Sequence, residues 1–177
     1  MAKQDYRSRK VERTHGRVRV EGKKGSKQGK LRHDLYKCLH DRLAEANEQA
    51  MYFEIIAICD MLITDRLEAY TQYLLFDDDF HFPTQSIGGA IGFLGTAVAD
   101  KAPEVAKSAS YIKMRDEVEE FVKMRNEVLH AFIIVKNVAS DVSLKERLVF
   151  AEHTAEVGNK LVRDISEFVS KHIKITD

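Results

Sequence analysis

The stretch from Gln49 to Phe76 constrains this chain more than any other. Apolar residues recur along it in two rows, one through Met51, Ile55, Ile58, Leu62, Ala69, Tyr73 and Phe76 and one through Tyr52, Ile56, Ile63, Leu67 and Leu74. Both rows follow the three- and four-residue steps of an α-helix, and together they cover much of its girth. A helix of this kind cannot lie on a surface with one face wet. It must be enclosed by other elements, so the rest of the chain has to supply its cover.

The remaining segments read as that cover. Leu31, Leu35, Cys38, Leu39, Leu43 and Ala46 define one face of a preceding helix, with Cys38 and Cys59 both expected as reduced core residues. Asp77-Asp78-Asp79-Phe80-His81-Phe82-Pro83 ends the central helix, and Thr84 or Ser86 can cap the next one, from Ile87 to about Asp100. Gly88 and Gly92, four apart, are expected to let a partner helix approach closely there. A further helix runs from about Ala109 to beyond His130, and Ile133-Ile134-Val135 is either its end or a short extended piece. Ser143 then caps a last long helix with a stripe through Leu144, Leu148, Val157, Leu161, Ile165 and Phe168. Two prolines in 177 residues suit this pattern. The expected fold is all-α, an up-and-down bundle of about five helices over residues 31–177.

The zero formal net charge conceals a division. The first thirty residues hold eleven Lys and Arg against three acids, a net of +8, which leaves residues 31–177 at −8. Residues 1–30 are too charged and too poor in large apolar groups to pack alone, and read as a flexible, disordered basic arm. Within it Arg17, Arg19, Lys23, Lys24, Lys27 and Lys30 are candidate contacts to RNA phosphates, and a solvated tail is the plainer reading of the same charges. Tyr6 is the arm's only ring, which argues against a base-stacking module. No apolar run reaches the ~20 residues needed to span a bilayer, and the N-terminus has no signal-like stretch, so a cytoplasmic location without a membrane role is expected.

Two charged residues stand where the helical pattern asks for apolar ones. Arg125 sits amid Val118, Phe121, Val122, Val128, Leu129 and Phe132, and Asp65 lies between Leu62 and Ala69. Burying either charge alone would cost several kcal/mol, of the order of ~3–5, so each needs a partner or a wet cleft. Asp65 and Arg125 could be that pair, either as a structural ion pair inside the bundle or as part of a site. Directly after Arg125 come Asn126, Glu127 and, one turn on, His130. Asn126 and His130, four apart, share a helix face. Arg125 and His130 are ~140° apart on an ideal helix, so they converge only if Arg125 reaches round, the helix distorts, or a second subunit completes the site.

Arg125-Asn126-(three residues)-His130, late in an amphipathic helix of a small all-α chain, resembles the R-x4-6-H motif of HEPN domains, including the polar residue after the arginine and the small Ala131 after the histidine. The resemblance covers the body from about residue 31 and not the arm. It implies a homodimer whose motif helices face each other and a metal-independent endoribonuclease, with no cofactor. Such proteins occur as toxins or phage-defence effectors, sometimes with an antitoxin or regulatory partner. The chemistry suits the residues: RNA carries its own nucleophile, the 2′-OH, and needs a proton-transfer group and a cation for the charge developing on phosphate. His130 is the residue type that titrates near neutrality, and Arg125 offers a permanent bidentate charge. On this reading Asn126 orients the phosphate or the imidazole, and an early-helix acid holds Arg125, Asp65 being the first choice and Asp60, on the more polar face, the second. The alternative implied by the same family is a non-catalytic dimeric interaction or regulatory module.

Other signals point to nothing specific. His33, Cys38, His40 and Asp41 do not follow a metal-ligand spacing, so no metal is expected. The acids at Asp77–Asp79 lack the alternating ligands and central Gly of a calcium loop. Gly88-Gly89-Ala90-Ile91-Gly92 follows no strand and matches no phosphate-loop pattern. Met51, Met61, Met114 and Met124 read as core filler. A DNA-binding regulator using the arm is a third, weaker idea, because no segment reads as a recognition helix.

Overall fold

The computed structural model describes residues 17–18, 27–75, 81–82, 86–133 and 143–173. Among these the chain is all-α apart from one two-residue bridge. The elements are β1 (Arg17–Val18), α1 (Lys27–Glu48), α2 (Tyr52–Leu75), β2 (His81–Phe82), α3 (Ile87–Lys101), α4 (Pro103–Ala106), α5 (Ala109–Ile133) and α6 (Leu144–His172). The single turn α4, opened by Pro103 at its first position, is one helical piece more than the periodicity suggests. No helix among the described residues is long and apolar enough to cross a membrane.

α2 is the central element. It packs on α6 and α3, α5 packs on the same two helices, and α1 lies against α2. Ile55, Ile58, Leu62, Ile63, Leu67 and Tyr70 of α2 are all but inaccessible, and they meet Leu94 of α3, Phe121 of α5 and Ile165 of α6 in one continuous core. At one end of it Tyr70 meets Phe168 edge-on with ring centres 5.8 Å apart. Ser86 caps α3 by accepting from the Gly89 amide at 3.1 Å. Ser143 and Glu146 form a reciprocal capping box at α6, whose backbone hydrogen bond helps hold the Glu146 carboxyl below its ordinary value.

Gly158 of α6 is where α2 and α5 are allowed to close. A Cβ there would stand 2.9 Å from Phe121 Cε2 and 3.1 Å from Cys59 Cβ, too close for either fully buried neighbour. Gly88 and Gly92 behave otherwise: a Cβ at either would meet nothing within 4 Å. The expected close helix approach does not occur at those two positions, which instead floor an open groove between α3 and α5.

Three expectations about the N-terminal part need correction. α1 begins at Lys27, four residues before the apolar pattern starts, so Lys27 and Lys30 belong to a helix and not to an arm. Arg17 and Val18, also assigned to the arm, pair antiparallel with Phe82 and His81. Arg19, Lys23 and Lys24 lie outside the described residues, as do Phe76 and 134–135. The buried face of α1 is also rotated from the expected one. Leu31 and Leu35 are 61% and 57% exposed and Cys38 is an exposed thiol, while the row Arg32, Tyr36, Leu39, Leu43, Ala46 faces the body. The physical reason is polar: Arg32 and Tyr36 reach a carboxylate on α2, and that contact sets the rotation of the first half of the helix.

Candidate functional site

α2 carries two acids five residues apart, and each takes an arginine from a different helix. Asp60 faces α5, where Arg125 Nη2 lies 3.1 Å from its Oδ1. Asp65 faces α1, where it accepts from Arg32 Nη2 at 2.5 and 2.6 Å and from the Tyr36 hydroxyl. The five-residue offset, ~140° on an ideal helix, separates the two acids onto different sides of α2. The first choice for the Arg125 partner, Asp65, is therefore corrected: α1 occupies it, and Asp60 holds Arg125.

The Asp60–Arg125 contact is electrostatic more than directional. Both side chains are roughly one-fifth to one-quarter exposed, at 24% and 20%, and Asp60 Oδ1 and Arg125 Nε are buried without an aligned hydrogen bond among the described residues. Burial raises the Asp60 carboxyl above its ordinary value, and Arg125 draws it back only in part. Cys59 beside it is buried, and burial followed by the Asp60 charge pushes its thiol up to about 12, which keeps it protonated and inert. An arginine held this way keeps guanidinium N–H groups for another anion.

Arg125 emerges from the core side of α5, flanked one turn away on either side by the inaccessible Phe121 and Val128. Asn126 and His130 are exposed on a different side of the same helix. Within the chain the helix thus presents the cation and the imidazole in different directions, as the spacing predicts. The face that bears Asn126 and His130 also carries Arg115, Val122 and Lys123, all within an arc of ~100°. These last three line the groove of about 390 Å³ that Gly88, Gly92 and Gly95 floor from α3. The groove and the imidazole therefore share one side of α5. Leu129, next to His130, is 37% exposed.

The residues weighed for a metal do not gather. Among the described residues no three His, Cys, Asp or Glu side chains come together in a ligand set.

These features define an all-α protein with an arginine–aspartate pair beside a grooved helix face. No family model matches the chain, and no curated protein or solved structure is significantly similar to it.

Proposed function

We propose that the protein is a metal-independent endoribonuclease of HEPN type, with Arg125, Asn126 and His130 as its site and Asp60 as the residue that positions Arg125. The observation that carries the reading is the Asp60–Arg125 pair: a cation set half-buried on the motif helix, held by a poorly aligned carboxylate that leaves donors for a phosphate. In a buried structural pair the carboxylate would be expected to be fully hydrogen-bonded.

The divergence of Arg125 and His130 within one chain implies that two copies complete the site, with the exposed end of α5 around Leu129 and His130 turned toward a two-fold axis. In such a dimer Arg125 neutralises the phosphate. One His130 takes the proton from the 2′-OH as its oxygen bonds to phosphorus, and the partner subunit's His130 protonates the departing 5′ oxygen. The P–O5′ bond breaks, and the products are a 2′,3′-cyclic phosphate and a 5′-hydroxyl. The groove along α3 and α5 offers the strand a path to His130, with Arg115 and Lys123 on its wall and Glu119 between them.

The second reading, a non-catalytic dimeric module, draws on the same geometry, because Arg125 already has an intramolecular partner. Incubation with total RNA in the presence of chelator separates the two. The nuclease reading expects cleavage leaving cyclic phosphate ends, lost in Arg125→Ala and in His130→Ala. Cleavage that survives both substitutions sinks the site, cleavage abolished by chelator sinks the metal-free mechanism, and no cleavage by the wild type supports the module.

A further inference from the structure

The second arginine cluster, on the other side of α2, has no role in that chemistry. Arg32 and Tyr36 of α1 meet Asp65 and Arg66 of α2 around a recess of about 270 Å³, with His33 on its rim. Asp65 fixes Arg32 through two contacts and Tyr36 through the phenol, and burial followed by the Asp65 charge pushes that phenol up to about 12, so it remains a donor. Arg66 lies over the Tyr36 ring at 4.8 Å from its centre, with Arg32 at 5.8 Å from the same ring. The Asp65 carboxylate is bonded to Arg32 and Tyr36, whereas Arg66 meets the Tyr36 ring. Arg66 Nε is buried with no hydrogen-bond partner among the described residues.

The cation–π contact holds Arg66 against the Tyr36 ring. It does not satisfy the N–H edge of a guanidinium, which is shaped for an oxyanion. We propose that Arg32 and Arg66 form a phosphate subsite, separate from Arg125, that grips a phosphodiester of the RNA strand flanking the one to be cleaved; this rests on the ribonuclease reading. Arg66 is six residues from Asp60, ~9 Å along α2 and about a third of a turn around it, so the recess serves a neighbouring phosphate and not the scissile one.

The ligand is a strand and not a nucleotide in a pocket. Guanidinium groups lie against the Tyr36 ring, so it offers no stacking platform to a base. On α1 the exposed row Lys30, His33 and Lys37 continues the positive charge past the rim, with Asp34 as the acid among them. This exposed row makes a track for phosphates that leads to the Arg32–Arg66 recess.

The test uses the full chain in a His130→Ala background, so that RNA is bound without turnover, with a short labelled single-stranded oligoribonucleotide followed by anisotropy across a salt series. Arg66→Gln is expected to weaken binding about tenfold and to flatten the dependence of log affinity on log salt by about 0.7, the share of one phosphate contact on a single strand. Arg66→Lys, which keeps the charge and the stem, should recover part of the affinity and guards against misfolding of the Gln variant. Inorganic phosphate and adenosine monophosphate serve as competitors. Weak competition by either supports strand phosphodiester as ligand, whereas tight mononucleotide binding that Arg66→Gln abolishes, with RNA affinity intact, overturns it. Unchanged RNA affinity and slope in Arg66→Gln also overturn the subsite while leaving the nuclease reading standing. Failure of the parent protein to bind RNA at all overturns both.

Discussion

The two arginine–aspartate pairs on α2 use the same residue types for opposite ends. Asp65 is bonded to Arg32 and Tyr36 and locks the first half of α1 onto the body, at the expense of leaving Leu31 and Leu35 in water. Asp60 makes one imperfectly aligned contact, and burial raises its proton affinity in spite of Arg125. The first carboxylate is consumed by structure; the second is under-used by it. A pair with unspent hydrogen-bonding capacity is the one that can change partners when a phosphate arrives, and this is a sharper criterion than burial, which the two pairs share at 20–26% exposure.

The largest expected difference between them is kinetic. On the ribonuclease reading, Arg125→Ala should lower the first-order cleavage rate at saturating RNA by about 10²–10³-fold, the size typical of removing a transition-state donor. Loss confined to sub-saturating RNA would reassign Arg125 to binding and erase the contrast with the α1 side. Next is stability. Asp65→Ala removes the acceptor that Arg32 and the Tyr36 hydroxyl share, and should cost about 2 kcal/mol, or a fall of about 4–8 °C in Tm by calorimetry. A change under half that size would mean that the α1 clamp is ornamental. Gly158→Ala comes third. The overpacking against Phe121 and Cys59 costs about 1–3 kcal/mol and the gain in helix propensity returns about 1, for a net loss of about 1 kcal/mol in chemical unfolding. Because those neighbours adjoin Asp60 and Arg125 and not Asp65, cleavage should suffer more than RNA binding.

Long apolar repeats made the body legible: α2, α5 and α6 follow from periodicity, and side-chain chemistry pointed to the Ser143 cap and to Ser86 as one of two candidates for the α3 cap. Arg125 was readable as a charge in an apolar stripe. Its partner was not, because the apolar rows favour Asp65 over Asp60, on the more polar face, and which of them meets α5 depends on the rotation of α2 against α3 and α6. The rotation of α1 escaped for a related reason. Leu31, Leu35 and Cys38 form a plausible stripe, but the row beginning with Arg32 and Tyr36 wins by polar contact, a signal that hydrophobic periodicity does not carry. The turn between α1 and α2 was legible as a break between Ala46 and Gln49, but its conformation was not. Its left-handed residue is Ala50, with φ of 53° and the Met51 amide donating to Ala46 at 2.9 Å, where a glycine would have announced it. Arg66 drew no notice, since an arginine beside an aspartate on a helix looks solvated until α1 is placed over it.

The smallest effect probes the weaker pair directly. The folded-state carboxyl of Asp60 is raised, so over the window from its ordinary value to its folded value the native chain binds more protons than the unfolded chain. The stability tied to that proton is fully present below the ordinary carboxylate range and is lost as pH rises through the folded value. Asp60→Asn cannot ionise and escapes this loss. Its melting temperature relative to the wild type should therefore climb as pH rises through the window and level off above it, while an offset constant across pH reports what the amide changes apart from ionisation. A difference that stays flat with pH, or that falls, would show that Arg125 compensates Asp60 fully; the pair would then be as settled as the one on α1, and the reason for assigning chemistry to Arg125 would go with it.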